Sequence, residues 1–263
     1  MIGVFDSGEG GLSVLKEITR LLPQEKYIYY SDNANCPYGD KTPEFIRERA
    51  KSITNCLLEN GAGIIVVACN TATAAAIATL RSEYANISFI GMEPAVKPAA
   101  LGTATGVVGV LATAGTLKGS KYLKTKESVD EHVNVVEHVG KGFVELVEAG
   151  KLSGPDVEEV VKDSLDPLLA AGADIVVLGC THYPFLVNVM EKVAGDGVRF
   201  IDPAPAVARQ LVHVMVENGM LSKKDGDEAL IRSSCDIPSS PDVKLISSGD
   251  PAPLARLYEM IYK

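Results

Sequence analysis

The sequence predicts an α/β protein made of two pseudo-symmetric lobes, each a doubly wound parallel sheet, with a functional site between them. Two observations support this fold class. Short apolar runs alternate with helix-like stretches along the whole chain, a pattern typical of parallel sheets covered by helices on both faces. In addition, a segment of the first half of the chain recurs in the second half.

Each predicted strand is a short, mostly apolar run. In chain order the predicted strands are Ile2–Phe5, Tyr27–Tyr30, Ile64–Ala68, Ser88–Ile90, Val107–Leu111, Ile175–Leu178, Val198–Ile201 and Val243–Ile246. Between them, helical patterns predict helices such as Thr42–Glu59, Pro155–Ala171 and Pro203–Glu217. This alternation provides the helical crossovers that parallel strands require.

The internal repeat defines the predicted lobes. LLENGAGIIVVACNT (Leu57–Thr71) matches LLAAGADIVVLGCTH (Leu168–His182), and at the same offset FIGMEPAV matches FIDPAPAV. Near the start of each copy, GVFDSGEGGL corresponds to GVLATAGTL. A duplicated flavodoxin-like unit accounts for all three pairs. We therefore predict an N-terminal lobe at residues 1–93 plus 205–263 and a C-terminal lobe at residues 94–204.

Composition and charge argue against several classes of protein. The chain has 263 residues, of which 46% are hydrophobic, and no apolar run approaches the roughly 18 residues of a membrane helix. Its formal net charge of −9 disfavours nucleic acid or an anionic membrane as the main partner, since both need a basic surface. The N-terminal residues lack a basic flank followed by an apolar segment, so we expect a cytoplasmic location.

The cysteines form an odd set without CxxC spacing, namely Cys36, Cys56, Cys69, Cys180 and Cys235. This argues against a disulfide framework and a zinc knuckle, so we expect free thiols. Cys56 reads as part of a helix core, Cys235 has no predicted role, and Cys36 is expected to border the functional site.

Unusual polar residues follow the predicted strands at their carboxyl ends, where open parallel sheets bind ligands. They are Asp6 and Ser7 after the first strand, Asp32 and the loop Cys36–Gly39 after the second, Cys69–Thr71 after the third, and Cys180–His182 in the second lobe. Because Cys69 and Cys180 occupy equivalent positions in the two copies, we expect them to flank one cavity from opposite sides.

Two thiols that face each other across a small ligand suit racemisation, in which a proton leaves one face of a carbon and another arrives on the opposite face. Asp6, Glu148 and His182 are the candidates to assist proton transfer by the thiols. Backbone N–H groups at helix N-termini, with the hydroxyls of Ser7, Thr71 and Thr181, would hold a carboxylate.

Simpler interpretations exist for several of these residues. A free cysteine at the end of a buried strand is often only a small apolar side chain, and Asp6–Ser7 could be a helix N-cap. The glycine-rich run after Ser7 lacks the spacing of phosphate-binding loops. His182 has no neighbouring Cys/His cluster, and Lys97 is a lone candidate for a Schiff base, so we expect neither a metal nor another cofactor.

Five segments together, DSGEGGLSV, ANCPYG, VVACNTATA, EPAVKPA and LGCTHYPFL, resemble the glutamate racemases, cofactor-independent enzymes of the aspartate/glutamate racemase superfamily. They occur in the family's order over most of the chain. The resemblance implies interconversion of L- and D-glutamate, which supplies D-glutamate for peptidoglycan. It assigns the two acid/base cysteines to Cys69 and Cys180. It also implies substrate binding by Asp6–Ser7, Tyr38–Gly39, Asn70–Thr71 and Thr181–His182, with assistance from Asp32 and Glu148.

The sequence departs from the family pattern in two places. It has SDNA (Ser31–Ala34) where members often have GDTA, and it lacks a Cys-Pro element before the helix that carries Glu148. Glu145 lies one turn away on that helix and remains an alternative assisting carboxylate. We also expect a homodimer, and no activation by a cell-wall precursor at an added N-terminal segment.

Three alternative functions remain open at this stage. One is a racemase of the same superfamily that acts on aspartate. Another is a hydrolase with one nucleophilic cysteine, which would need a Cys–His pair and an oxyanion hole. The third is an amino-acid-binding module without catalytic activity, which would bind its ligand without exchanging the α-proton.

Overall fold

The computed structural model describes residues 1–232 and 237–263. Its strands form two parallel sheets, one five-stranded and one four-stranded. The strands are β1 (Ile2–Asp6), β2 (Lys26–Ser31), β3 (Ile64–Val67), β4 (Ser88–Gly91), β5 (Val107–Ala112), β6 (Asn134–Val139), β7 (Ile175–Gly179), β8 (Arg199–Ile201) and β9 (Asp242–Ser247).

Helices connect successive strands. They are α1 (Leu12–Leu21), α2 (Pro43–Glu59), α3 (Asn70–Glu83), α4 (Val96–Gly102), α5 (Ala114–Leu117), α6 (Ser120–Glu127), α7 (Phe143–Glu148), α8 (Pro155–Ala170), α9 (Val187–Ala194), α10 (Ala204–Glu217), α11 (Lys223–Leu230) and α12 (Ala252–Tyr262). Short 3-10 turns cover Asn33–Asn35, Tyr38–Asp40 and Tyr183–Leu186. The three helices predicted from periodicity agree with α2, α8 and α10 within one residue at each end.

The strand order shows the duplication directly. The strand order of the first sheet is β4-β3-β1-β2-β9. The strand order of the second sheet is β8-β7-β5-β6 when it is read from the strand that corresponds to β4. Each strand of the second sheet therefore has a counterpart in the first, and β9 is an addition beyond β2. This arrangement confirms the predicted class of two parallel-sheet α/β lobes.

The predicted lobe boundaries are compatible with this topology and stay a prediction. The first sheet takes its strands from residues 2–91 and 242–247, and the second takes its strands from residues 107–201. The largest cluster of buried apolar side chains includes residues of both segments. The two sheets thus share part of one core, which fixes how their strand ends face each other.

One strand, β6, is absent from the sequence-based prediction. It lies at the edge of the second sheet and pairs only with β5 among the described strands. None of its residues is fully buried, and Glu137 and His138 interrupt its apolar run. An edge strand is partly exposed to solvent and can therefore carry polar residues. The apolar pattern of β6 was too weak to predict a strand.

No helix among the described residues is long and apolar enough to cross a membrane.

Candidate active site

A narrow cavity lies where the carboxyl ends of the two sheets meet. Its lining includes Cys69 and Cys180, together with His182. It also includes six of the residues predicted to bind substrate, namely Ser7, Tyr38, Gly39, Asn70, Thr71 and Thr181. Residues from both sheets therefore converge on one cavity, as the repeat predicts.

Cys69 stands at the start of α3, directly after β3. Its side chain caps the helix, because Sγ accepts a hydrogen bond from the Ala72 N–H at 3.3 Å. The thiol in turn donates to Ser7 Oγ at 3.5 Å. Burial raises the pKa of Cys69, with a further contribution from the negative charge of Asp6. Cys69 is therefore a protonated thiol in the absence of substrate.

Cys180 directly follows β7 and begins a chain of polar side chains. Its Sγ lies 3.7 Å from His182 Nδ1, and His182 Nε2 lies 2.5 Å from Glu148 Oε1. Burial alone would lower the pKa of His182, but hydrogen bonds with Cys180, Cys36 and Glu148 raise it well above its ordinary value. His182, held protonated by these contacts, therefore links the Cys180 thiol to the Glu148 carboxylate.

Asp6 lies at the carboxyl end of β1 and is fully buried. Its Oδ2 accepts hydrogen bonds from the N–H groups of Gly8 and Gly11 at 3.2 and 3.1 Å. Thr181 Oγ1 approaches both carboxylate oxygens, at 3.3 and 3.4 Å. Burial raises the pKa of Asp6, whereas the charge of His182 lowers it. Asp6 thus joins the first lobe to the Thr181–His182 segment of the second.

Asn70 follows Cys69 and lines the cavity. Its side chain is almost fully buried, and neither amide atom has a hydrogen-bond partner among the described residues. An unpaired buried amide is costly, so a group that binds here and offers both a donor and an acceptor would satisfy it. The α-ammonium and carboxylate of an amino acid are such groups.

Thr71 belongs to a cluster of three threonine hydroxyls. Its Oγ1 lies 2.8 Å from Thr113 Oγ1 and 3.3 Å from Thr116 Oγ1. Thr113, which caps α5, lines the cavity and was not among the predicted site residues. A sequence signal existed, because the GVFDS and GVLAT segments of the repeat pair Thr113 with Ser7.

Asp32 does not line the cavity. Its carboxylate accepts two hydrogen bonds from the Arg49 guanidinium, at 3.0 and 2.7 Å, and one from Tyr38 Oη at 2.5 Å. Burial would raise the pKa of Asp32, but these donors lower it below its ordinary value. Asp32 therefore acts on the site through Tyr38, whose ring it holds against the cavity.

The glycine-rich loop after Asp6 packs directly against the second lobe. A Cβ atom at Gly8 would overlap the Glu148 carboxylate, and one at Gly10 would overlap the His182 ring. At Gly11 a Cβ would collide with Asp6 and with Tyr29 Oη. Close approach of the two lobes thus accounts for Gly8 and Gly10, and packing within the first lobe accounts for Gly11.

Of the two candidate carboxylates on α7, the structure brings Glu148 to the site. Glu145 is exposed, whereas Glu148 is partly buried against His182. Burial alone would raise the pKa of Glu148, but hydrogen bonds with His182 and Glu9 lower it to about 2. Glu148 is therefore ionised at neutral pH beside a protonated imidazole.

Glu9 is not among the site residues predicted from the sequence, yet its N–H donates to Glu148 Oε1 at 2.9 Å. Cys36 lies beside the site, as expected. Its Sγ, a His182 nitrogen and a Glu148 oxygen lie within 4.8 Å of one another. Among the described residues, this is the only group of three potential metal ligands, and His182 Nε2 already contacts Glu148 Oε1. Cys56 is half-buried in α2, and Cys235 lies outside the described residues.

Comparisons of the sequence with a family model and with curated proteins agree on one family of enzymes. The model of the Asp/Glu/hydantoin racemase family matches residues 2–211. A glutamate racemase of Ectopseudomonas mendocina (strain ymp) is 48% identical over 236 residues, which cover 90% of both chains.

The whole fold also resembles solved structures of glutamate racemases. The glutamate racemase of Francisella tularensis, in complex with D-glutamate, is 28% identical with a TM-score of 0.80 and covers 99% of this chain and 92% of its own. The Escherichia coli glutamate racemase, in complex with L-glutamate and an activator, is 34% identical with a TM-score of 0.78 and covers 94% and 97%.

Proposed function

The chain belongs to the Asp/Glu/hydantoin racemase family, and we propose that it interconverts L- and D-glutamate by a cofactor-independent, two-cysteine mechanism. The observation that carries this proposal is the placement of Cys69 and Cys180. Each follows the carboxyl end of the equivalent strand of its lobe, and both line one cavity. Glutamate is the proposed substrate because similar proteins are glutamate racemases, two of them in complex with one or the other enantiomer.

In the proposed L-to-D direction, the Cys180 thiolate removes the α-proton, so the C–H bond breaks and an S–H bond forms. The Cys69 thiol then delivers its proton to the opposite face of the planar intermediate and becomes the thiolate. The D-to-L direction uses the same groups in reverse. His182, which Glu148 holds in place, contacts Cys180 and assists its proton transfer. Asp6 holds Thr181 and the loop that carries Ser7.

Substrate binding is assigned to the polar residues of the lining. The unpaired amide of Asn70 can donate to a carboxylate and accept from the ammonium group. Ser7, Thr71 and Thr181 offer hydroxyl groups, and the N-terminus of α3 adds backbone N–H groups that favour an anion. The lining contains no Lys or Arg among the described residues. Hydrogen bonds and helix ends would therefore carry most of the carboxylate recognition.

An NMR experiment distinguishes glutamate from aspartate as the substrate. Purified protein is incubated separately with L-Glu, D-Glu, L-Asp and D-Asp in deuterated water, with no cofactor added. We expect inversion and α-deuteration of both glutamate enantiomers. Turnover of aspartate alone would favour the aspartate racemase, and binding without exchange would favour a module without catalytic activity.

Chelating agents are expected to leave the activity unchanged, because thiols transfer the proton and no step needs a Lewis acid. The measurement compares the racemisation rate before and after exhaustive treatment with chelator, and again after addition of divalent metals. Loss of turnover that a metal restores would contradict the proposed mechanism. Dependence on added pyridoxal phosphate would contradict it equally.

The pH profile of kcat/KM is expected to be bell-shaped, because each direction needs one thiolate and one thiol. Glu148, with a pKa of about 2, stays ionised over this range. As pH falls, the thiolate base is protonated and the rate drops. As pH rises, Cys69 loses the proton that it must deliver, and the rate drops again. Because burial raises the pKa of Cys69, this second decrease occurs at higher pH than for an ordinary thiol. A rate that only increases across the range of thiol titration would contradict the two-cysteine scheme.

We further propose that the product supplies D-glutamate for peptidoglycan, and that the protein acts as a cytoplasmic homodimer. The described cysteines are free thiols, which suits a reducing compartment. Deletion of the gene in its host should create a requirement for D-glutamate, and light scattering should give twice the mass of 27.9 kDa. Growth of the deletion strain without D-glutamate would contradict the proposed role in peptidoglycan synthesis. A monomeric mass would contradict the proposed homodimer.

A further inference from the structure

Glu9 connects the two lobes at a point that the mechanism above does not use. It lies in the loop after β1, whereas Glu148 ends α7 in the other half of the chain. Glu9 is 1% exposed, and its backbone N–H donates to Glu148 Oε1 at 2.9 Å. A buried acidic side chain therefore stands against the carboxylate that contacts His182.

The two oxygens of the Glu9 carboxyl group have different surroundings. Oε1 accepts a hydrogen bond from Asn33 Nδ2 at 3.0 Å. The direction is fixed, because Asn33 Oδ1 already accepts from Ser247 Oγ and the Gly249 N–H, both at 2.8 Å. The other oxygen, Oε2, is buried without a hydrogen-bond partner among the described residues.

The Glu9 and Glu148 carboxyl groups are close enough for each to shift the pKa of the other, and the Glu9 N–H lies 2.9 Å from Glu148 Oε1. Adjacent buried carboxylates cannot both be ionised at neutral pH without a large cost, so such pairs hold one proton. A proton on Glu9 Oε2 would turn this unpaired acceptor into a donor to Glu148. It would also remove the repulsion between the two charges.

We propose that Glu9 is a positioning residue, whose protonated carboxyl donates to Glu148 and holds that carboxylate, in ionised form, on His182. The proposal rests on the proposed function, since it assumes that His182 and Glu148 serve Cys180. Glu148 would then accept from three donors: the Glu9 N–H, the Glu9 carboxyl and His182 Nε2. Three donors fix both its charge and its orientation.

The charges around Glu9 agree with this placement of the proton. The titratable groups that face it are Glu148 on α7, His182 after β7 and Tyr29 on β2. Burial and the contact with Glu148 raise the pKa of Glu9 to about 9, although Asn33 and His182 oppose the shift. Glu148, with three donors, is the better anion of the two.

Two substitutions at Glu9 test the kinetic consequence. Glu9→Gln keeps a donor for Glu148 and an acceptor for Asn33, whereas Glu9→Leu removes both. We expect Glu9→Gln to retain most of the wild-type kcat at neutral pH. Glu9→Leu should lose on the order of tenfold in kcat, the factor expected for one lost hydrogen bond to a charged group. KM should change little, because Glu9 does not line the cavity.

Infrared spectroscopy on protein with carbon-13-labelled glutamate carboxyl groups tests the proton itself, without reference to activity. Wild type should show a protonated glutamate carboxyl band at neutral pH, which disappears as pH rises through about 9. Glu9→Gln should lack this band, and Glu145→Gln, at an exposed position of α7, should keep it.

The outcomes separate the two claims. If wild type lacks the band, or Glu9→Gln retains it, Glu9 does not hold the proton and the inference is wrong. Unchanged kcat in folded Glu9→Leu would also overturn the inference, while racemisation itself would stand. If the band behaves as expected but wild type does not racemise glutamate, the proton assignment stands and the proposed function fails.

Discussion

Replacement of either Cys69 or Cys180 by alanine is expected to abolish net racemisation in both directions, while each variant still exchanges the α-proton of one enantiomer. If the thiols stand on opposite faces of the α-carbon, each reaches the proton of only one enantiomer. Loss of one thiol removes the base for one direction and the acid for the other. We expect kcat to fall on the order of 10³-fold or more, within the range of general acid–base catalysis.

The remaining exchange identifies the face that each cysteine serves. In deuterated water, Cys69→Ala should label only L-glutamate, with retention, because Cys180 can remove a proton and return a deuteron on its own face. Cys180→Ala should label only D-glutamate. This assignment of enantiomers follows the family resemblance. Cys56→Ala, on α2 and outside the cavity lining, is the matched control and should racemise normally. Inversion at near wild-type rate by either active-site variant would refute the two-cysteine scheme.

Glu148→Gln is expected to lower kcat/KM by about 10- to 100-fold, because it removes the negative charge that keeps His182 protonated beside Cys180. The two enantiomers have equal free energies, so kcat/KM must fall equally in both directions. The asymmetry between the lobes should appear in isotope effects instead. With α-deuterated L-glutamate, abstraction by Cys180 becomes more rate-limiting and the primary isotope effect rises, whereas with α-deuterated D-glutamate it falls.

Glu145→Gln is the matched control for this experiment. It changes the same side chain on the same helix, but Glu145 is exposed. It should leave both kcat/KM and the isotope effects at wild-type values. A larger loss in Glu145→Gln than in Glu148→Gln would show that the wrong carboxylate has been assigned. Equal isotope effects for both enantiomers in Glu148→Gln would show that Glu148 does not assist Cys180 specifically.

The fold and the two cysteines were accessible from the sequence for one physical reason. Duplication leaves the same strand-end pattern twice, so the equivalence of Cys69 and Cys180 can be read without any structure. The same logic pairs Thr113 with Ser7, although the threonine was not identified because it is an ordinary helix cap in isolation. Strand β6 was missed because half-buried edge strands can carry polar residues.

Other features depend on tertiary contacts that no local pattern encodes. The choice between Glu145 and Glu148 is set by how α7 lies against His182, since both residues have the same chemistry. Glu9 reaches Glu148 across 139 positions of the chain, and its neighbours in sequence suggest only a tight turn. Asp32 was predicted beside the substrate, but the structure turns it onto Arg49 and Tyr38, where it supports the cavity from behind.

The most direct test of the proposed two-base racemisation follows the isotope in wild-type protein at early times. L-glutamate is incubated in deuterated water without cofactor, and both enantiomers are separated and analysed by NMR before equilibrium. Two bases on opposite faces predict that the D-glutamate formed is fully deuterated at the α-carbon, while the remaining L-glutamate retains its proton. Early appearance of deuterium in both pools, or α-proton retained in the D-glutamate, would indicate a single base and contradict the roles proposed for Cys69 and Cys180.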